Sequence, residues 1–248
     1  MNPRILIINA PHTAIGSRIP QEHLPPLGLL YIGGALIDTG YHVELLDADL
    51  KTMAFKEIIS RSKAIGPSIV LLGHSGSTSG HPVIMEIADE LKKQNPDVFI
   101  IYGGVYPTYH WKEVLNESSS IDVIVRGEGE QTVAALVNAV LQDGSFASIR
   151  GIAFREHGKP IATNMMEPVQ DLDSSRVGWE LIDHSHYSYW GNKRAVVVQF
   201  SRGCLYQCSY CGQHKFWGKW RHHHPRAFAK ELARLSREHG VEVINFAD

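Results

Sequence analysis

Short, almost wholly apolar runs alternate with longer stretches whose apolar residues recur every three or four positions through about the first 145 residues. Arg4–Asn9, Val43–Asp47, Ile69–Gly73, Val98–Tyr102 and Ile121–Arg126 read as strands. Leu27–Thr39, Ala54–Ile65, Val83–Asn95, Thr108–Asn116 and Gln131–Asp143 read as helices, with Gly40, Gly66 and Gly144 as stops. Strands that lack polar alternation are expected where helices cover both faces of a parallel sheet, because neither face meets water. The pattern predicts a doubly wound α/β parallel sheet of Rossmann or flavodoxin type.

Arg150–Glu156 and Pro160–Thr163 read as a hairpin turned by His157-Gly158, and residues 164–191 read as an ordered connector. Ala195–Phe200 then opens a second series, followed by an amphipathic helix over Pro225–His239, a Gly240 stop and a strand over Val241–Ala247. Three units are expected, at 1–148, 149–190 and 191–248.

In an open α/β sheet, ligands bind beyond the carboxyl ends of the strands. The segments leaving those ends are Ala10–Pro20 continuing to Gly28, Gly73–Pro82, Gly103–Thr108 and Arg126–Glu130. Their glycines let a large ligand approach the backbone, and their hydroxyls can donate hydrogen bonds. No Gly-x-Gly-x-x-Gly fingerprint opens the first helix, and no Gly-Lys-Ser/Thr phosphate loop is present. A broad, flat ligand across the sheet edge fits better than a pyrophosphate on one helix terminus.

An apolar content of 44%, a charged content of 20% and a net charge of −2 are ordinary for a globular protein and imply no nucleic-acid surface. Apolar runs fall well short of the ~20 residues that span a bilayer, so no transmembrane segment is expected and the cytoplasm is the expected compartment. The three cysteines all lie within Cys204-Leu205-Tyr206-Gln207-Cys208-Ser209-Tyr210-Cys211, a spacing of metal or cluster ligands rather than of a disulfide framework. Three thiolates can hold three irons of a [4Fe–4S] cluster and leave the fourth open. A zinc site completed by His214 or by His222, His223 or His224, or three plain buried cysteines, are the alternatives.

The Cys-x-x-x-Cys-x-aromatic-Cys sequence resembles that of the radical S-adenosylmethionine enzymes. The resemblance implies that Cys204, Cys208 and Cys211 ligate the cluster, that its open iron chelates S-adenosylmethionine, and that Tyr210 lies beside the adenine. A doubly wound domain placed before that motif resembles the cobalamin-binding domain of the cobalamin-dependent members. His74, Ser75, Ser77, Thr78, Gly103, Gly104, Tyr106, Pro107, Thr108, Gly127, Glu128 and Gly129 are then the expected corrin contacts. The Asp-x-His-x-x-Gly sequence that supplies a lower axial histidine in other cobalamin proteins is absent, and His74 is its nearest substitute by position.

More narrowly, Val196–Cys204, Tyr210–Gln213, Trp220–His222, Ile244–Asp248, Tyr102–His110 and Val177–Ile182 are similar to segments of the anaerobic magnesium-protoporphyrin IX monomethyl ester oxidative cyclase family. The resemblance implies formation of the fifth ring of (bacterio)chlorophyll, with a water-derived oxo group and no dioxygen. It also implies a magnesium tetrapyrrole substrate and a low-potential electron donor. Such a chain is about twice this length, so the residues after 191 are expected to be the first βα units of a truncated radical SAM barrel. A cobalamin-dependent radical methyltransferase and an inactive cobalamin-binding fragment are the alternative readings.

Fourteen histidines are many for this length. His12, Arg18, His23, His74, His81 and His110 stand in segments converging on the expected ligand edge, where an imidazole could ligate a porphyrin magnesium or shuttle protons. Their plainer reading is that of hydrogen-bonded loop residues. His222-His223-His224 reads as a solvated turn, and Glu130 as an acid at the positive end of a helix macrodipole. Phe216, Trp217 and Trp220 are read either as covers for a cofactor or as packing beneath the second domain.

Overall fold

A computed structural model describes residues 3–11, 22–50, 53–74 and 78–248, except for the side chain of Thr78. His12, Arg18, Ser75 and Ser77 lie outside the described residues. The first domain carries β1 (Arg4–Asn9), α1 (Leu27–Asp38), β2 (His42–Asp47), α2 (Phe55–Ile65), β3 (Ile69–Gly73), α3 (His81–Gln94) and β4 (Phe99–Gly103). It continues with α4 (Val105–Tyr109), α5 (Trp111–Glu117), β5 (Val123–Val125), α6 (Glu130–Leu141), β6 (Ile152–Glu156) and β7 (Lys159–Ala162).

The strand order is β2-β1-β3-β4-β5-β6-β7. The first five strands are parallel and the last two antiparallel. The expected doubly wound sheet is present, but the hairpin expected in the connector extends it by two strands. Apolar clusters fill both faces, one around Leu6, Ile8, Leu72 and Tyr102 and the other around Ile5, Ile7, Leu71 and Ile101. Consecutive strand residues point to opposite faces, so both sets of side chains must be apolar. The expected helix over 108–116 is instead two helices broken at His110.

The second series holds β8 (Ser188–Tyr189), β9 (Lys193–Val198), β10 (Ser201–Arg202), α7 (Gln213–Trp217), β11 (Arg221–His222), α8 (Pro225–His239) and β12 (Val243–Phe246). β9 and β12 are parallel, as a βαβ unit requires, while β8 adds antiparallel to β9 and β10 pairs with β11.

Helix α1 joins the two parts. Its sequence, LGLLYIGGALID, is apolar almost all round, because one face packs on the sheet and the other on Trp179, Val196 and Leu235. Gly34 makes the second contact possible: a Cβ there would stand 2.5 Å from the Arg176 carbonyl oxygen. The connector amide of Gly178 thereby donates to the Leu30 carbonyl at 2.9 Å.

The connector also buries His184, which stacks on His239 at 4.0 Å beside Trp179, with neither ring nitrogen hydrogen-bonded among the described residues. Burial, together with His239, Arg194 and Arg234, lowers its pKa from 6.5 to about 4, against a weaker opposing pull from Asp183. Between those values the unfolded chain binds a proton that the folded chain refuses, so stability falls as pH drops through this window. The urea midpoint of wild type should fall between pH 7 and pH 5, and His184→Phe should flatten that dependence. An unchanged pH dependence in the variant would contradict the assignment.

Candidate functional site

Beyond the carboxyl ends of β3, β4 and β5 lies a cavity of about 910 Å³. Its first wall is the sheet edge: Gly73, His74, Gly103, Gly104, Gly127 and Gly129. Gly104 and Gly127 have φ of +120° and +80°, a backbone region that L side chains rarely adopt, so glycine sets the course of both loops. Another part of the lining comes from the second series of elements and includes Gln199, Arg202, Cys204, Cys208, Cys211 and Trp217. Tyr31 and Ile32 of α1 line the space between.

The expected corrin contacts divide into two groups. His74, Gly103, Gly104, Gly127, Glu128 and Gly129 line the cavity, whereas Tyr106, Pro107 and Thr108 do not. Tyr106 stacks between His81, at 4.3 Å, and His110, at 4.5 Å, and Pro107 is buried. Thr108 braces the site from behind: its hydroxyl donates to the Gly104 carbonyl at 2.7 Å and accepts from the Gly127 amide at 2.9 Å, fixing two glycine loops to each other. Thr78 begins a short 3-10 turn that leads into α3. His23 lines the cavity and its backbone pairs with Ser188.

Behind His74, the Tyr102 hydroxyl lies 3.4 Å from His74 Nε2 and 3.4 Å from His81 Nδ1. Burial pushes the Tyr102 phenol well above its ordinary pKa, with Tyr106 adding to the effect. Burial likewise lowers the pKa of His81, opposed by Glu117 3.6 Å away.

Glu128 lines the cavity as a clamped ion-pair partner: its side chain is 4% exposed and held by two arginines. Arg221 meets it in bidentate fashion at 2.6 and 3.1 Å, Arg202 approaches at 3.3 Å, and the Val169 amide donates at 3.0 Å. Arg202 also pairs with Glu130 at 2.7 Å, so Glu130 is a buried ion-pair partner as well as the first residue of α6. The Arg202 guanidinium lies over the rings of Tyr31, at 4.6 Å, and Trp217, at 5.3 Å. Burial works against this cation, but Glu130, Tyr31 and Glu128 outweigh it and raise its pKa. Five segments of the chain meet at this one network.

All three cysteines are free thiols facing the cavity, Cys204 and Cys208 exposed and Cys211 half-buried. The loop is turned by the Cys211 amide donating to the Cys208 carbonyl at 3.1 Å, and the Tyr206 amide points at Cys204 Sγ at 3.4 Å. Among the described residues no three His, Cys, Asp or Glu side chains converge as a single ion requires. Two rings of the histidine triplet are otherwise engaged: His222 Nδ1 meets the His223 carbonyl, and His223 Nδ1 meets Asp173. Tyr210 is 91% exposed and outside the cavity lining, while Tyr206 of the same loop belongs to it.

Arg202, Arg221 and Tyr31 were not legible as site residues, because their partners are remote in sequence. The local signals were the Ser201-Arg202-Gly203 sequence immediately before Cys204 and the Trp220-Arg221-His222 segment.

Comparison with known proteins agrees with this geometry. Residues 15–137 match the B12 binding domain family. The chain is 52% identical, over 99% of its length, to the anaerobic magnesium-protoporphyrin IX monomethyl ester cyclase of Synechocystis sp., and covers 49% of that protein. The namesake of Rubrivivax gelatinosus is 34% identical over 99% of the chain, which covers 45% of it. The fold matches the radical S-adenosylmethionine methyltransferase TsrM from Kitasatospora setae, solved with cobalamin and a [4Fe–4S] cluster. That match has a TM-score of 0.76 at 17% identity and covers all of this chain and 48% of the other. Over residues 15–137 the chain is thus similar to the B12 binding domain family, and it shares its fold with that radical S-adenosylmethionine methyltransferase. Over its length its sequence is similar to the anaerobic magnesium-protoporphyrin IX monomethyl ester cyclases, and it spans about half the length of the curated relatives it matches. No helix among the described residues is long and apolar enough to cross a membrane.

Proposed function

We propose that the full-length protein is an oxygen-independent oxidative cyclase, closing the fifth ring of (bacterio)chlorophyll on magnesium-protoporphyrin IX monomethyl ester. The observation that carries this reading is that one cavity is lined both by a glycine-rich sheet edge and by three free thiols. The 52% identity to a protein of that name directs the choice of substrate.

Cys204, Cys208 and Cys211 would hold the cluster: three thiols on one loop, all lining the cavity, fit a group that keeps one iron open. Gly103, Gly104, Gly127 and Gly129 would admit the corrin face, with His74 presenting an imidazole beside it. When bound, the cluster and S-adenosylmethionine would supply radical chemistry able to abstract a hydrogen atom from the substrate side chain, and the corrin would supply redox capacity beside it. The protein's share is to position and shield. Arg202 and Glu128 fix the relative placement of the two walls, and Thr108 fixes the two glycine loops. A low-potential reductant is the expected redox partner, and a magnesium tetrapyrrole the expected substrate.

A methyl transfer to carbon is the second reading, favoured by the structural likeness to a methyltransferase. Anaerobic turnover of the full-length holoenzyme with the tetrapyrrole and methyl-labelled S-adenosylmethionine separates the two. The cyclase yields 5′-deoxyadenosine and a ring-closed oxo product without label; label in the product would establish the methyltransferase instead.

A further inference from the structure

Away from the cysteine loop and the glycine edge, one more set of reactive side chains ends at the cavity. Asp173 of the connector accepts from His223 Nδ1 at 2.7 Å, and His223 Nε2 stands 3.5 Å from the Tyr31 hydroxyl. His223 and Tyr31 are 8% and 5% exposed, and Tyr31 lines the cavity.

The direction of these bonds follows from their chemistry. An ionised carboxylate only accepts, so His223 carries its proton on Nδ1 and leaves Nε2 bare in the neutral ring. The Tyr31 hydroxyl is then the donor to Nε2. Asp173 is held ionised: burial opposes its charge, but the His224 amide at 2.8 Å and the His223 ring outweigh burial and lower its pKa. Burial raises the pKa of Tyr31, while Arg202 across its ring face pulls the other way, as suits a phenol that shares its proton without standing ionised. The charged groups facing Tyr31 are Arg202 from β10, Glu130 from α6 and Glu231 from α8. Those facing His223 and Asp173 include each other and His224.

We infer that Tyr31, His223 and Asp173 form a proton relay that takes up a proton released inside the cavity, Tyr31 being the group that meets the reacting water or substrate. The assignment rests on the cyclase reading in one respect: converting a water oxygen to an oxo group releases both protons of that water. As the new carbon–oxygen bond forms and a water O–H bond breaks, the freed proton goes to Tyr31 Oη. The hydroxyl's own proton passes to His223 Nε2, and the imidazolium is held by Asp173. The relay moves no electrons: hydrogen-atom abstraction removes the first electron from the substrate carbon, and a one-electron acceptor such as the corrin removes the second, so that water adds to a cationic carbon. An orienting carboxylate, an imidazole and a terminal hydroxyl are the parts that general base catalysis requires.

Two measurements on the full-length protein test the relay. In the holoenzyme, Tyr31→Phe keeps the ring under Arg202 and removes only the hydroxyl. It should retain wild-type iron and cobalt and still form 5′-deoxyadenosine, yet form oxo product about 100-fold more slowly. The wild-type dependence of product rate on pH should also be lost. In protein labelled with ¹⁵N-histidine, the His223 Nδ1–H resonance should appear far downfield, vanish in Asp173→Asn and shift in Tyr31→Phe. A Tyr31→Phe enzyme within twofold of wild type with an unchanged pH profile overturns the relay, as does absence of that resonance in wild type. Should the tetrapyrrole prove not to be the substrate, the resonance still decides the relay independently of turnover.

Discussion

Full-length protein carrying Glu128→Gln is expected to lose about 3–5 kcal/mol of stability, the usual result of removing one partner from a buried ion pair. Glu128 is the single carboxylate shared by Arg202 and Arg221, all three side chains being at most 7% exposed. A neutral amide would leave Arg221 buried without its anion and Arg202 with only Glu130. Exposed Glu113 provides the comparison: Glu113→Gln should stay within about 0.5 kcal/mol of wild type. Urea midpoints of the two variants check the claim, and a Glu128→Gln midpoint matching that of Glu113→Gln would contradict it. The Glu128–Arg202 pair matters because it crosses from a cavity-lining loop at the sheet edge to the strand that leads into the cysteines, two residues before Cys204.

Gly203→Ala is expected to disrupt the cysteine loop more locally and as severely. Gly203 has φ of +91°, and a Cβ there would stand 2.3 Å from the Lys219 carbonyl oxygen and 2.8 Å from the Trp220 amide nitrogen. Both are backbone atoms of the segment leading into β11, so no side chain can swing aside. Left-handed strain and the overlap together should cost about 3 kcal/mol or more. The loss should fall on the β10–β11 pair and the thiols that follow it. Iron bound per chain after anaerobic reconstitution should drop severalfold in Gly203→Ala. Gly28→Ala, where a Cβ meets nothing within 4 Å, should bind iron as wild type does. Full iron in Gly203→Ala would show that this turn does not shape the loop.

These two positions mark the boundary of what the sequence could disclose. The parallel strands were legible because burial on both faces leaves an unbroken apolar run, as in Ile5–Ile8 and Ile69–Leu72. Helix α8 was legible to the residue, since proline opens it and Gly240 in the left-handed conformation ends it. The break at His110 was not, because both flanking segments share one helical pattern. The hairpin was legible but not its destination, since pairing with β5 is a tertiary choice.

The same division holds at the site. Cysteine spacing is local, so the thiols could be identified from the chain alone. The ion pairs of Glu128 were not legible because its partners lie 74 and 93 residues away. Tyr106 sits in a glycine-rich segment, yet α4 turns its ring back onto His81. His223 read as part of a solvated turn, whereas the structure buries it against Asp173, fifty residues upstream.

The central claim, a two-cofactor cavity, is tested most directly by anaerobic reconstitution of the full-length protein with iron, sulfide and cobalamin, followed by metal analysis of one sample. The account predicts about four irons with matching sulfide and one bound corrin per chain. It also predicts that Cys208→Ala loses the cluster absorbance while retaining the corrin. A protein that takes up zinc and no iron, or one that binds no corrin, would contradict it.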